Sequence, residues 1–293
     1  MKLSRMKAAL GGGLVATAMI ASSCVTETPA PTKTFKATSV TVNNTNDDLN
    51  ITCFCTKDEP KVINIGFRVK VGVANSAATV VAIGANQWNG VFDQGLAAGE
   101  SHNYSGGQQA AVTFANISSP DVLNLAAGTP LEVVGYWAWK VEDDGILAAN
   151  ANAMANTIAS VLNNALNTYV AAGQLPSDPN AIVQMVLDSI FQQGFLSLIG
   201  TGLGALLNNL NILSDDVLGS AMYIGVGSSG SLAGIINGVA SGIQFPSVAI
   251  PTLEVPPDIG GGAIFSTEGA RTFVDGSTNV GVDGKHTTTY TFG

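Results

Sequence analysis

No lysine or arginine occurs between Lys140 and Arg271, and the first half of this cation-free run has the pattern of helices. Across residues 145–213 the apolar residues recur at steps of three and four, which is the spacing of helices that bury one face. Uncharged helices of this length are more often buried than inserted in a membrane. The sequence therefore predicts a helical layer packed against a sheet or against a partner protein.

Cap and break residues divide this block into separate helices. Ser177 or Asp178 followed by Pro179 has the form of a helix N-terminus. Gly194 is the expected break before a further apolar helix at residues 195–213. We expect two or three helices, packed as an antiparallel hairpin.

The segment 195–207 also raises a membrane hypothesis. It is very apolar, and Gly200 with Gly204 has the spacing that lets membrane helices approach closely. Against this, Asn208 and Asn209 interrupt the run before it reaches the ~20 residues of a spanning helix. Basic residues, which helices lying on a membrane surface usually carry, are absent. We favour burial and keep a membrane-inserting or channel-forming protein as the alternative.

The rest of the chain alternates between apolar and polar residues in the manner of strands. The clearest strand is 61–74, and 131–141 repeats its pattern, with Trp137 and Trp139 facing inward and Lys140 facing outward. One buried and one solvated face is typical of an antiparallel sheet. Weaker strand candidates are 36–42, 49–55, 79–83 and 110–114, and further strands are predicted at 222–226, 263–266, 270–274 and 287–292.

These strands and helices predict an α+β fold, an antiparallel β-sandwich with an inserted helical layer. Residues 35–144 would form the first part of the sandwich and 214–293 would complete it, with 145–213 as the insertion. A short helix near 231–239 and a turn at 260–262 are expected within the last part.

The N-terminus has the form of an export signal. Residues 1–23 combine a basic start, a short uncharged run and small residues at the end, which predicts a secretory signal peptide. The sequence from Ala21 to Cys24 resembles the lipobox of bacterial lipoproteins, which implies lipidation of Cys24; Ala21 stands where that pattern prefers Leu, Val or Ile. Residues 24–34 are rich in Pro and Thr and would form a tether. Ordinary cleavage near Ser23, with an unmodified Cys24, is the alternative.

Two further cysteines, Cys53 and Cys55, lie on the same face of a predicted strand. Export permits a disulfide, but residues i and i+2 of a regular strand are ~6.5–7 Å apart, so a bond would require a bulge. The sequence is compatible with either a disulfide between these two cysteines or two separate buried thiols. A Cys-x-Cys without His or further Cys is a weak metal motif, and we expect no metal site.

Asp58, Glu59 and Pro60, followed by the strand at 61–70, resemble a segment of exported actinobacterial proteins that have no assigned activity. In those proteins a helical region precedes a return to strands. The resemblance implies the same general layout here and carries over no functional residues.

Charge limits the possible partners. The formal net charge is −9, and residues 1–23 hold three of the 12 basic residues and no acid, so their removal makes it −12. Such a chain repels phosphate backbones and anionic lipid headgroups, and we expect no nucleic-acid partner.

We found no residues that predict catalysis, cofactor binding or metal binding. His102 and His286 are expected in solvated turns, and residues 225–230 fail the Gly-x-Ser-x-Gly spacing of a hydrolase and are expected to be a flexible turn. The sequence favours a non-catalytic cell-envelope protein that is anchored in the membrane through a lipid on Cys24. It would act by binding or assembly, with a possible protein partner on the helical layer. A membrane-inserting protein is the alternative, and an enzyme is the third hypothesis.

Overall fold

The computed structural model describes residues 32–45, 57–84, 95–141, 148–210, 217–250, 259–276 and 284–293. The predicted signal peptide at 1–23, Cys24, Cys53 and Cys55 lie outside these residues, as does the strand predicted at 49–55. The first described strand begins at Lys33, so the last two residues of the predicted tether at 24–34 belong to that strand.

The strands of the described part are β1 Lys33–Thr45, β2 Lys61–Lys70, β3 Ala78–Ile83, β4 Ser101–Asn103, β5 Val112–Phe114, β6 Glu132–Val141, β7 Val217–Val226, β8 Ile259–Ser266, β9 Arg271–Asp275 and β10 Gly284–Phe292. The helices are α1 Val122–Ala126, α2 Ala148–Tyr169, α3 Ala181–Phe191, α4 Gln193–Leu210 and α5 Gly230–Ser241, with a 3₁₀ turn at Gly106–Gln109.

The strands form two five-stranded sheets. The outer sheet has the order β4-β1-β10-β9, with β5 also paired to β1, and the central sheet has the order β3-β2-β6-β7-β8. The predicted α+β composition with mainly antiparallel pairing is confirmed. The prediction of antiparallel pairing is wrong for one pair of strands, because β8 runs parallel to β7. The helix α5 connects these two strands, and a helical crossover returns the chain in the same direction.

Both faces of the central sheet are buried along β2 and β6. On one face Ile65 and Trp137 share a cluster with apolar residues of α2, α3 and α4. On the other face Tyr136 shares a cluster with Phe35 and Tyr290 of the outer sheet. The predicted alternation of strand residues is therefore confirmed, but the expected solvated face is wrong, because the outer sheet covers it.

The helices of the predicted block form with different boundaries. The helix α3 begins at Ala181, where Asn180 occupies the N-cap and the Asp178 side chain accepts a hydrogen bond from the Asn180 backbone. The break between α3 and α4 lies at Gln192, which has an extended backbone, instead of at Gly194. The predicted apolar face of α3 is confirmed, since these of its residues are buried: Ile182, Val183, Val186, Leu187 and Ile190.

In the sequence, the helices α2 to α4 come between β6 and β7, two strands that are neighbours in the central sheet. Val141 at the end of β6 is opposite Val217 at the start of β7, so the two strands would form an ordinary hairpin without the helices. The last strand β10 pairs with β1, so the two ends of the described chain meet in the outer sheet. The turn predicted at 260–262 is wrong, since these residues belong to β8. Gly262 has a φ of +149°, and a Cβ there would collide with the backbone oxygen of Met222.

Candidate functional site

Among the described residues, four buried titratable side chains form one connected group between the two sheets: Asp58, Lys140, Asp275 and His286. We call them the polar cluster. Asp58 precedes β2, Lys140 is on β6 of the central sheet, and Asp275 and His286 are on β9 and β10 of the outer sheet. None is more than 4% exposed, so the four side chains are almost completely buried.

Direct contacts join the members of the polar cluster. The His286 Nε2 lies 2.8 Å from the Asp58 Oδ2. Lys140 Nζ donates a hydrogen bond to the His286 carbonyl oxygen at 3.2 Å and lies 3.7 Å from the Asp275 Oδ1. The Asp58 backbone is fixed by two hydrogen bonds to Leu96. The cluster therefore connects a strand of the central sheet to two strands of the outer sheet.

Burial changes the pKa of two of these groups, Lys140 and His286. It lowers the pKa of Lys140, an effect that the nearby Asp275 opposes. It also lowers the pKa of His286, which the hydrogen bond to Asp58 opposes. A neutral amine and a neutral imidazole are thus favoured at this place relative to water.

The solvated turn predicted for His286 is wrong, because this residue is 1% exposed. The signal was present in the sequence. His286 is separated by even steps from Tyr290 and Phe292, which are both buried, so an earlier start of the last strand places it on the inner face. His102 is partly buried on β4, with its Nε2 3.3 Å from the Gln108 Oε1. The structure places the two histidines beside opposite edges of β1.

Residues 225–230 have Gly at the first, third and sixth positions, the spacing of many dinucleotide-binding loops. The loop follows β7 and opens α5, as that fingerprint requires. However, two of its backbone donors are used within the chain. The Ser229 backbone donates to the Pro120 oxygen at 3.0 Å, and the Gly227 backbone donates to the Glu132 oxygen at 2.7 Å. A Cβ at Gly227 would collide with the Ser118 oxygen, so the chain itself occupies the space next to the loop.

A groove of about 560 Å³ lies on the helical layer, between α3 and the residues that follow α5. We call it the helical-layer groove. Its lining residues combine apolar side chains, amides and one acid: Gln184, Leu187, Asp188, Phe191, Gln192, Ile243, Gln244 and Pro246. Phe191 also packs edge-on against Phe245, with the ring centroids 5.1 Å apart. This arrangement offers an apolar floor with a neutral hydrogen-bonding rim.

A second groove, of about 580 Å³, lies where the edge strands β8 and β9 of the two sheets approach each other. Its lining includes Tyr223 and Gly261 on the central sheet and Phe273 and Asp275 on the outer sheet. The polar cluster therefore borders this groove through Asp275.

One run in the described part, Ala181–Gly202, is long and apolar enough to cross a membrane, although Gln192 divides it between α3 and α4. Of the 18-residue window within it that meets this test, 44% is buried against the rest of the protein. Such a run is also typical of a core helix. Within the same described residues, no three His, Cys, Asp or Glu side chains are placed to hold a metal ion.

No protein-family model, curated protein or solved structure matches this chain.

Proposed function

We propose that this chain is an exported cell-envelope protein that is anchored by a lipid on Cys24 and binds a protein partner through its helical layer. In this proposal the two sheets form a β-sandwich, and residues 24–34 hold it away from the membrane. Support for export comes from the basic, then uncharged, then small residues at 1–23. The resemblance of residues 21–24 to a lipobox supports the anchor.

The helical-layer groove is the observation that carries the binding proposal. It is formed by two elements, α3 and residues 243–246, and it combines Leu187, Phe191 and Ile243 with exposed amides. Concave sites with an apolar floor and a few polar groups are preferred binding places. A groove of this composition fits an apolar side chain of a partner with amide hydrogen bonds around it.

Charge favours a neutral or basic protein segment as this partner. Among the described residues that line the groove, one is an acid, Asp188, and none is a lysine or arginine. Anionic ligands would therefore find no counter-charge in it. An amide-rich rim can both donate and accept hydrogen bonds, which suits a peptide backbone.

Burial of the polar cluster supports binding over catalysis. His286 has a carboxylate partner, as a catalytic base would, but its side chain is 1% exposed. A general base must reach the proton that it removes within hydrogen-bonding distance. The arrangement instead suits a connection between the two sheets.

Crosslinking in the native host tests the groove. Gln184→Arg together with Gln244→Arg places two bulky cations at the exposed rim, and we expect loss of the crosslinked partner with no change in the melting temperature. Gln174→Arg, at an exposed glutamine outside the groove, is the matched control and should retain the partner. Equal crosslinking of both variants and the wild type would exclude the groove as the binding surface.

The alternative is a protein that inserts the helical block into the membrane. The run Ala181–Gly202 favours it by length and composition. The two hypotheses differ in what holds the protein in the membrane, a lipid on Cys24 or this run.

A further inference from the structure

Lys140 and Asp275 are a buried amine and a buried carboxylate from different sheets. Their charged atoms are 3.7 Å apart, and both side chains are at most 3% exposed. The Lys140 Nζ is also fixed by its hydrogen bond to the His286 carbonyl oxygen. The side chain of Lys140 lies in the space between the sheets, where the apolar cluster includes Tyr136, Tyr223 and Tyr290.

Such surroundings favour the neutral amine of Lys140 relative to water. A charged pair in an apolar interior loses the hydration of both ions, and its mutual attraction offsets this only with excellent geometry. A single proton moved from the lysine to the aspartate gives a neutral amine beside a neutral acid. A desolvated neutral lysine is a nucleophile. Burial lowers the pKa of the Lys140 amine, which agrees with this state.

We propose that Lys140 and Asp275 condense to an intramolecular amide that joins the central sheet covalently to the outer sheet. The Lys140 Nζ lone pair attacks the Asp275 Cγ, and a C–N bond forms. A proton moves from the nitrogen to the leaving hydroxyl group, the C–O bond breaks, and one water leaves. No oxidant, reductant or cofactor is required.

The structure provides two conditions for this reaction. The fold holds the two groups together, and well-oriented intramolecular partners reach effective concentrations of about 10⁵–10⁸ M. The released water has a way out, since Asp275 lines the groove between β8 and β9. The amide would close a covalent loop from β6 to β9 that includes the helical layer. The inference does not depend on the proposed function.

Tryptic digestion of the denatured full-length protein tests the proposal directly. Between Lys70 and Lys285 trypsin can cleave only after Lys140 and Arg271, because no other lysine or arginine occurs there. An amide on Lys140 blocks cleavage at that residue. We therefore expect residues 71–271 to remain intact and to be linked to residues 272–285, with a mass one water below the sum of the two peptides.

Lys140→Met removes the amine and should release 272–285 as a free peptide. Fragmentation of the branched wild-type species should place the link between Lys140 and Asp275. If the wild type instead yields free 71–140 and free 272–285 with the full mass of an unmodified aspartate, the two residues form only an ion pair and the proposal is wrong. This result requires no variant to fold.

Discussion

At the scale of single residues, glycine positions show where the chain packs most closely. Gly227 lies between two backbone segments, and a Cβ there would meet the Ser118 oxygen and, at 2.9 Å, the Glu132 oxygen. Gly234 is on the exposed side of α5, where a Cβ would meet nothing within 4 Å. The two residues belong to neighbouring parts of the chain but have opposite surroundings.

We expect Gly227→Ala to destabilise the protein by about 2 kcal/mol or more, since neither backbone segment can move without breaking hydrogen bonds. Gly234→Ala is the matched control and should stabilise it by about 0.5–1 kcal/mol, because alanine favours a helix interior. Urea unfolding of both variants measures the difference. Equal stability of the two would show that the loop before α5 is not packed against residues 118–120.

His286 predicts a pH dependence of stability. Burial lowers its pKa from the ordinary value of 6.5, so the folded state binds fewer protons than the unfolded chain at acidic pH. The contribution of His286 is therefore fully present above about pH 6.5 and is lost as the pH falls below it, by at most about 1.4 kcal/mol per pH unit.

Urea unfolding between pH 7.5 and 5 measures this slope. In His286→Gln the slope should become shallower, while His102→Gln, which changes the other histidine, should leave it unchanged. A slope in His286→Gln as steep as that of the wild type would exclude His286 as its source.

Single residues also show the limit of prediction from sequence. Alternation identified Ile63, Ile65 and Trp137 as core residues, because each is both apolar and in phase. It placed Lys140 in water, since a charged side chain is normally solvated. Lys140 is buried because the outer sheet covers its face of β6. That sheet forms by pairing between strands that are distant in the sequence, such as β1 and β10.

At the scale of elements, an ion pair joins β2 to β6 on the side of the central sheet that faces the outer sheet. Arg68 on β2 donates through Nε to the Glu132 Oε1 of β6 at 2.6 Å, and the Ser118 backbone donates to the Glu132 Oε2 at 2.7 Å. The Glu132 side chain is 1% exposed, whereas that of Arg68 is 30% exposed. The pair therefore neutralises a buried carboxylate next to the loop that follows β5.

We expect Arg68→Met to cost about 3 kcal/mol, because it leaves the buried Glu132 carboxylate without its cation. Lys36→Met, at a half-buried lysine of β1, should change stability by about 0.5 kcal/mol or less. Adding Glu132→Gln to Arg68→Met should restore part of the loss, which thermal and urea unfolding can measure. No restoration would mean that the uncompensated charge is not the cause.

Element types followed from local sequence, but their ends and directions did not. The apolar period identified α2 and α3 because each buries one face. The break falls at Gln192, two residues before the glycine from which it was predicted. The parallel direction of β8 depends on where α5 packs, and residues 260–262 looked like a turn because glycine is rare inside strands.

At the scale of the whole molecule, the helical layer is part of the core. The apolar face of the central sheet, which includes Phe67, Trp139 and Met222, is covered by residues of the helices. Because β6 and β7 are neighbours, residues 145–213 could be replaced by a short Gly/Ser loop without breaking a sheet.

We expect that replacement to give an insoluble or aggregated protein, because it exposes this apolar face to water. The same loop inserted after Asp144, with the helices retained, is the control and should stay soluble. Gel filtration and dye binding report the outcome. A soluble monomer that unfolds cooperatively without the helices would show that the layer is dispensable.

The proposal that a lipid on Cys24 anchors the protein is tested by phase separation in nonionic detergent. The full-length protein is first expressed in a bacterial host that processes lipoproteins. We predict that the wild type enters the detergent phase with a lipid on Cys24 and that Cys24→Ala is exported but remains in the aqueous phase. If Cys24→Ala enters the detergent phase as the wild type does, the run Ala181–Gly202 holds the protein in the membrane, which contradicts the proposal of a lipid anchor. A wild type that carries no lipid and remains in the aqueous phase contradicts it equally.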